Sequence, residues 1–280
     1  MSENNIVILN GARTAMGSFQ GSLAPMSAPQ LGGACIREAV ARAGLKPEDV
    51  EDVVMGCVLP AGLKQGPARQ AMRLAGLPDS TGATTINKLC GSGMRATMFC
   101  HDMLKAGSHD IVVSGGMESM SNAPYILDKA RGGYRMGHGQ VADHMFLDGL
   151  EDAETGRLMG AFAQDVADQR GISREQMDNF AIESLKRAQA AIDNGWFADE
   201  IVPVAVPQRR GDPVVLDHDE GVRPDADMDS LAALRPLMKN GVVTAGNASQ
   251  QNDAAAACLV VAEDKVEELG LEPILWFHSW

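Results

Sequence analysis

Four short β-prone runs alternate with segments of helical period over the first 115 residues, and this order restricts the fold more than any other feature. The runs are Ile6-Val7-Ile8-Leu9, Val53-Val54-Met55, residues 84–87 and Ile111-Val112-Val113. Between them, Leu31, Cys35, Ala39 and Ala43 recur at helical spacing before Gly44. Pro67 can open a second helix that Gly76 closes, and an apolar stretch follows Cys90 as far as Lys105. Such a βαβαβαβ order predicts a layered α/β fold. With 280 residues and 45% hydrophobic content, the chain can bury a core as one large domain or two smaller ones.

Beyond residue 119 the character changes. Met159, Phe162, Ala163, Val166 and Ala167 predict one helical face ending at Gly171. Ser173 and Gln176 read as a capping box for a long helix with an apolar face of Met177, Phe180, Ala181, Leu185, Ala188 and Ile192, stopped by Gly195. An irregular, proline-interrupted stretch carrying Arg223 and Arg235 follows. Long excursions between α/β segments are usually functional, often lids or binding elements. The apolar run at residues 254–262 then returns to strand-like sequence, and a charged helix candidate ends at Gly270.

A net charge of −13 without any Lys/Arg cluster argues against a nucleic-acid partner. No apolar run reaches the roughly 20 residues needed to span a bilayer, and the start of the chain is polar, so no membrane partner and a cytoplasmic location are expected. Five cysteines without a CxxC pair fit reduced thiols better than a disulfide framework.

Cys90 stands out among them. A short β-prone run turns through Gly91 and Gly93 into the apolar stretch, which puts this thiol at a helix N-terminus. Unpaired backbone N–H groups and the helix dipole there favour thiolate, while the glycines admit a substrate carbonyl close to the backbone. A buried structural cysteine fits the same residues equally well. Met94, Met98, Phe99, Met103 and Leu104 spread apolar groups around the helix, which predicts a helix buried between layers.

Longer motifs resolve this ambiguity. Asn87-Lys88-Leu89-Cys90-Gly91-Ser92-Gly93-Met94-Arg95, Gly115-Gly116-Met117-Glu118-Ser119-Met120-Ser121 and Thr244-Ala245-Gly246-Asn247-Ala248-Ser249 stand in the order and spacing of the thiolases. Gly11-Ala12-Arg13-Thr14, Gly66-Pro67-Ala68-Arg69-Gln70 and Arg131-Gly132-Gly133-Tyr134-Arg135-Met136-Gly137 agree. Throughout its length the chain resembles the acetyl-CoA-handling branch of that family.

The resemblance implies a thiolase fold: an N-terminal α/β domain from residues 1–121 and 246–270, a loop domain at 122–245 over the coenzyme A site, and at 271–280 the start of a C-terminal half. It implies acyl transfer between coenzyme A thioesters with Cys90 as the nucleophile. It implies that Leu150, Leu158, Met159, Leu234 and Ala245 line the pantetheine and acyl path. Ser230 and Ser249 would offer hydrogen bonds, and Arg223 would lie near the nucleotide end. Neither a metal nor a permanently bound cofactor is implied. Acetyl-CoA or acetoacetyl-CoA is the expected substrate, and the expected assembly is a homodimer or homotetramer with the strand near residues 111–114 pairing between subunits.

Three departures qualify the resemblance. Leu158 replaces a histidine common in relatives, and Ser249-Gln250-Gln251-Asn252-Asp253-Ala254 lacks two usual glycines. The family's Gly-His-Pro, Asn-Glu-Ala-Phe and Cys-x-Gly-Gly motifs do not occur in these residues. The expectation is therefore an acetyltransferase cut short and inactive alone, its terminal Trp276, Phe277 and Trp280 left uncovered. The alternative is a non-catalytic relative that binds coenzyme A or pairs with a complete subunit.

Overall fold

The computed structural model describes residues 5–280; the start of the chain at residues 1–4 lies outside the described residues. Two compact units emerge. The first comprises residues through Pro124, Glu200–Asp219 and Asn252–Trp280, and the second comprises Tyr125–Asp199 and Glu220–Gln251.

The first unit opens with β1 (Ile6–Thr14), β2 (Gly17–Ser18), α1 (Ala28–Arg42), β3 (Asp52–Gly56), α2 (Pro67–Ala75), β4 (Gly82–Ile86), α3 (Ser92–Lys105) and β5 (Ile111–Ser119). The second unit follows with β6 (Tyr125–Ile126), β7 (Ala142–Asp143), a π-helical turn (Met145–Leu150), α4 (Met159–Arg170) and α5 (Arg174–Asp193). The chain returns to the first unit for β8 (Ile201–Val202), β9 (Val204–Val206) and β10 (Val214–Leu216). It then supplies α6 (Met228–Ala232) to the second unit and β11 (Asn252–Ala262), α7 (Glu263–Leu269) and β12 (Leu275–Trp276) to the first.

The sheet of the first unit runs β12-β1-β11-β5-β3-β4, with β2 beside β11 and β8 beside β1. Strand β11 is antiparallel to both neighbours, Ala257 lying opposite Ala12 of β1 and Gly115 of β5. Strand β3 is parallel to β5 and β4, with Gly56 opposite Gly116 and Ile86. Leu259-Val260-Val261 is apolar at every position because both faces of β11 are covered. Alternation divides the strands: Ile6, Val54, Val112 and Val260 pack with Ala96, Cys100 and Leu104 of α3. Met117, of opposite parity to Val112, lies against α1, where a side chain at Gly32 would collide with its sulfur. Helices thus sandwich the sheet, as the layered α/β reading requires. No helix among the described residues is long and apolar enough to cross a membrane.

Several expectations need correction. Strand β5 has β11 on one side and β3 on the other, so residues 111–114 have no edge to offer a second copy; the edge strands are β4 and the two-residue β12. Helix α3 is buried along one face only, Ser92, Ala96, Cys100 and Leu104, while Met94 is 68% exposed. On α4 the buried residues are Gln164 and Ala167, with Val166 exposed, and on α5 they are Asp178, Ile182 and Ala191, with Phe180 79% exposed. In both helices a polar side chain with dedicated partners occupies the inward face, which a purely apolar count misses. The segment Glu200–Asp219 belongs with the first unit instead of the loop domain, because β8 pairs with β1 and Arg13 bridges Glu200 and Asp219. The terminal residues are only partly covered: Trp276 and Trp280 are each 55% exposed, as expected, while Phe277 is partly buried. Strand β12 pairs with β1, Phe277 packs on the α3 cluster and against the His101 ring, and Trp280 Nε1 donates to His101 Nδ1 at 3.0 Å.

Candidate active site

In the first unit, β4 ends at Ile86 and α3 begins at Ser92, so Cys90 occupies the tight turn between them, one residue before the helix cap Gly91. The turn is held from both sides. Asn87 Oδ1 accepts the Leu89 N–H at 2.9 Å, and Asn87 Nδ2 reaches the Val58 carbonyl at 3.4 Å. Ser92 Oγ accepts the Lys88 N–H at 2.8 Å and donates to the Leu89 carbonyl at 2.6 Å, while the Ser92 N–H binds that carbonyl at 2.9 Å. Leu89 sits in the left-handed region with φ of 49°. For an L residue with a side chain this costs on the order of 1–2 kcal/mol, so the surrounding bonds must hold it there.

Three glycines set the depth of the turn. A Cβ at Gly56, the last residue of β3, would lie 2.6 Å from Ser92 Cβ and 2.7 Å from its carbonyl carbon. Gly93 and Gly116 meet at ordinary van der Waals distance, a Cβ on Gly116 standing 3.4 Å from Gly93 Cα. The start of α3 therefore rests directly on the ends of β3 and β5. Glu118 of β5 fastens the adjoining loop, accepting the Val58 N–H at 2.7 Å and the Leu59 N–H at 3.0 Å.

Cys90 is exposed, whereas Cys35, Cys57 and Cys100 are buried and Cys258 is intermediate. Burial pushes the Cys35 thiol up to about 12. Burial, with the Glu118 carboxylate adding to it, does the same to Cys57, also to about 12. Cys100 and Cys258 are likewise pushed up by burial. Thiolate is thus suppressed at these four sites by desolvation. Two histidines of this unit have polar partners, His101 with Trp280 and Asp102 and His218 with Asp217, and His109 stands 3.9 Å from Asp52.

The second unit carries all eight residues expected along the coenzyme A path. Glu151 and Leu158 form an isolated antiparallel bridge, which brings Leu158 and Met159 alongside Leu150 at the end of the π-helical turn. Leu158 and Met159 are each 44% exposed. A second group gathers around residues 230–249. A Cβ on Gly246 would stand 2.6 Å from Leu234 Cδ1, so Leu234 packs closely beside the backbone next to Ala245. Ser230, exposed on α6, is partly committed: its hydroxyl accepts the Asp227 N–H at 2.9 Å and donates to the Asp227 carbonyl at 2.8 Å. The Ser230 N–H and hydroxyl in turn hold the Asp227 carboxyl below the usual carboxylate range. Ser249 is exposed, and the neighbouring Gln250 Nε2 donates to the Gly221 carbonyl at 3.1 Å. Arg223 lines a cavity of about 270 Å³ with Pro224 and with Ile182, Leu185, Lys186 and Asp193 of α5.

Buried polar groups missed by the apolar periodicity set this second group in place. Gln164 Oε1 of α4 accepts the Val242 N–H at 2.7 Å. Asp178 of α5 accepts from Arg174 Nε at 2.6 Å and from Asn247 Nδ2 at 2.9 Å. Asn247 Oδ1 closes the turn by accepting the Thr244 N–H at 2.8 Å, and Arg174 donates to the Leu231 and Leu234 carbonyls. Gln164 and Asp178 each stand in helical sequence beside a further polar residue, Asp165 and Asn179, so no local sequence signal set them apart.

The profile of the family described as "Thiolase, N-terminal domain" matches residues 6–264. The chain belongs to the thiolase family. An acetyl-CoA acetyltransferase of Chromobacterium violaceum is 51% identical over 270 residues, covering 96% of this chain and 69% of that thiolase. The acetyl-CoA acetyltransferase of Cupriavidus necator is 50% identical over 277 residues, covering 99% and 70% respectively. A probable acetyl-CoA acyltransferase of Staphylococcus aureus is 44% identical over 270 residues, covering 96% and 69%. The thiolase motif that contains Cys90 is thus the segment the structure builds into an exposed, doubly tethered turn.

Proposed function

We propose that this thiolase chain transfers acetyl groups between coenzyme A thioesters through an acyl-enzyme on Cys90. The observation that carries the reading is the exposure of Cys90 on a turn fixed at the N-terminus of α3, while burial suppresses ionisation of the other four thiols. In the first step the Cys90 thiolate, its proton already given to solvent, adds to the thioester carbonyl carbon, the carbonyl oxygen takes the negative charge, and coenzyme A leaves as its thiolate as the carbonyl re-forms. One thioester replaces another of similar energy, which suits sulfur as both nucleophile and leaving group. The Cys90 backbone N–H is the donor this turn offers to the developing oxyanion, the N–H groups of Lys88, Leu89, Gly91 and Ser92 being bound within the turn; such a donor is worth about 10² to 10³ in rate.

In this reading Leu150, Leu158, Met159, Leu234 and Ala245 form the pantetheine and acyl path, Ser249 and the remaining acceptor capacity of Ser230 address its polar groups, and the cavity beside Arg223 takes the nucleotide end. Arginine suits that position because it stacks on a flat base while its charge favours phosphate. The substrates are acetyl-CoA and, for thiolysis, acetoacetyl-CoA, and the five unpaired thiols suit a reducing compartment such as the cytoplasm.

Carbon–carbon bond formation needs proton transfer at the α-carbon of a second acetyl-CoA, and loss of a general acid or base costs about 10² to 10⁴. These 280 residues, assayed by themselves, are therefore proposed to stop at the acyl-enzyme. The test is incubation with acetyl-CoA followed by peptide mass spectrometry. Acetyl on Cys90, absent from Cys90→Ser, supports the reading. Coenzyme A binding without acetylation would favour the non-catalytic alternative.

Assembly is proposed to use the open edge of β4. The Gly82 N–H binds the Glu51 carbonyl and the Ile86 carbonyl accepts the Cys57 N–H, so the intervening Ala83 and Thr85 turn their backbone groups outward. A second copy can add there as an antiparallel strand.

A further inference from the structure

We infer that Ser92, with Asn87, is a positioning residue for Cys90: the pair locks Leu89 in its left-handed conformation and so fixes where the thiol points. The inference rests on the assignment of Cys90 as the nucleophile and adds to it the residues that aim it.

The geometry is specific. Cys90 follows a residue with φ of 49°, a conformation that side-chain-bearing residues leave readily unless held. Both peptide groups of Leu89 are held. Its N–H is bound by Asn87 Oδ1 at 2.9 Å, and its carbonyl receives both the hydroxyl and the N–H of Ser92, at 2.6 and 2.9 Å. The same Ser92 hydroxyl accepts the Lys88 N–H at 2.8 Å, so one oxygen spans the turn from the residue before Leu89 to its carbonyl. Ser92 itself cannot drift, being 5% exposed and wedged over Gly56. Asn87 is anchored more weakly to the Val58 carbonyl, on the loop that Glu118 fastens. Every contact lies in the first unit. With Ser92 truncated, the Lys88 N–H and Leu89 carbonyl lose their shared partner, and Leu89 can relax toward negative φ, carrying the attached Cys90 with it.

Two substitutions isolate this role. Ser92→Ala removes the spanning oxygen and nothing else. Leu89→Gly makes positive φ as accessible as negative φ, so it removes the reason for the lock. Hydrogen exchange of the peptide spanning residues 88–92 reads the turn directly. It should speed by about tenfold in Ser92→Ala, as expected for loss of a hydrogen-bonded turn worth about 1.4 kcal/mol, with residues 96–104 of α3 unchanged. Acetyl transfer to Cys90 should fall by about tenfold or more, whereas alkylation by iodoacetamide, which needs no fixed trajectory, should change by less than about threefold. In the Leu89→Gly background, Ser92→Ala should cost less than about threefold in acetyl transfer, since glycine adopts the required turn without strain.

Unchanged exchange at residues 88–92 in Ser92→Ala would overturn the inference, as would an undiminished penalty in the Leu89→Gly background. Exposure of Cys100 or Cys258 to iodoacetamide in Ser92→Ala would mean general loosening of the fold, and that result also counts against a specific positioning role. If the unsubstituted chain fails to acetylate Cys90, the proposed function is what fails, and the exchange measurement still decides whether Ser92 locks the turn.

Discussion

Asp178, 1% exposed on α5, accepts a 2.9 Å hydrogen bond from Asn247, the residue that shapes the turn carrying Ala245. Arg174 completes the carboxylate at 2.6 Å and reaches onward to the Leu231 and Leu234 carbonyls. One buried charge thus organises two of the stretches assigned to coenzyme A. Removing one partner of a buried pair leaves the other uncompensated, so Asp178→Ala should cost about 3–5 kcal/mol. Chemical denaturation should show that loss, and calorimetry should show coenzyme A binding weakened in the same variant. Full retention of affinity in a folded Asp178→Ala protein would separate this network from the binding path.

The buried thiols predict a stability profile in alkali. An unfolded cysteine ionises near its ordinary value of 9.0, whereas Cys35 and Cys57 are held protonated until about 12. Folded values above unfolded ones mean the stabilisation is complete below pH about 9 and is lost as pH rises from about 9 toward 12, at about 1.4 kcal/mol per pH unit per thiol. Urea midpoints taken between pH 8 and 10.5 should fall more steeply for the unsubstituted chain than for Cys35→Ala. Parallel slopes would show that Cys35 is ionised in the native state.

Most of the layered fold was legible because alternation of strand and helix periods is written in local residue order. The run at residues 254–262 is apolar throughout because it becomes the doubly covered β11. Its partners were not legible, since pairing β1 with β11 joins residues some 240 positions apart, as in Ala12 with Ala257. The same non-locality hid the sheet edge: nothing in Ile111-Val112-Val113 says that two strands flank it while Ala83 faces outward. At the candidate site the sequence singled out Cys90 by its glycines and motif. It could not assign Ser92 or Asn87 their parts, because those depend on the sign of one dihedral angle at Leu89. Gln164 and Asp178 were hidden for another reason. Buried polar residues obey hydrogen-bond geometry, and hydrophobic periodicity carries no signal for it.

Gly56 should resist even the smallest side chain. The methyl group of Gly56→Ala would have to share space with Ser92 Cβ at 2.6 Å and with backbone atoms of Ser92 and Gly93 at 2.7 and 2.8 Å. Backbone cannot rotate away as a flexible side chain can, so the start of α3 must lift from β3. Overpacking of this kind costs about 1–3 kcal/mol. The variant should melt earlier and transfer acetyl to Cys90 more slowly, while Gly132→Ala, where nothing lies within 4 Å of the new Cβ, should do neither.

The open edge of β4 yields a test of assembly. The bonds at Gly82 and Ile86 place their backbone groups toward β3, and alternation turns the Ala83 and Thr85 groups outward. Proline at position 83 removes one outward donor without breaking a bond to β3, and its ring obstructs any strand that approaches. Ala83→Pro should therefore convert an associating protein into a monomer in analytical ultracentrifugation, with its circular dichroism unchanged. Ala83→Val provides the contrast, because it adds bulk and β-propensity yet keeps the donor, and should still associate. A proline variant that sediments like the unsubstituted protein would place the subunit contact elsewhere than on the backbone of β4.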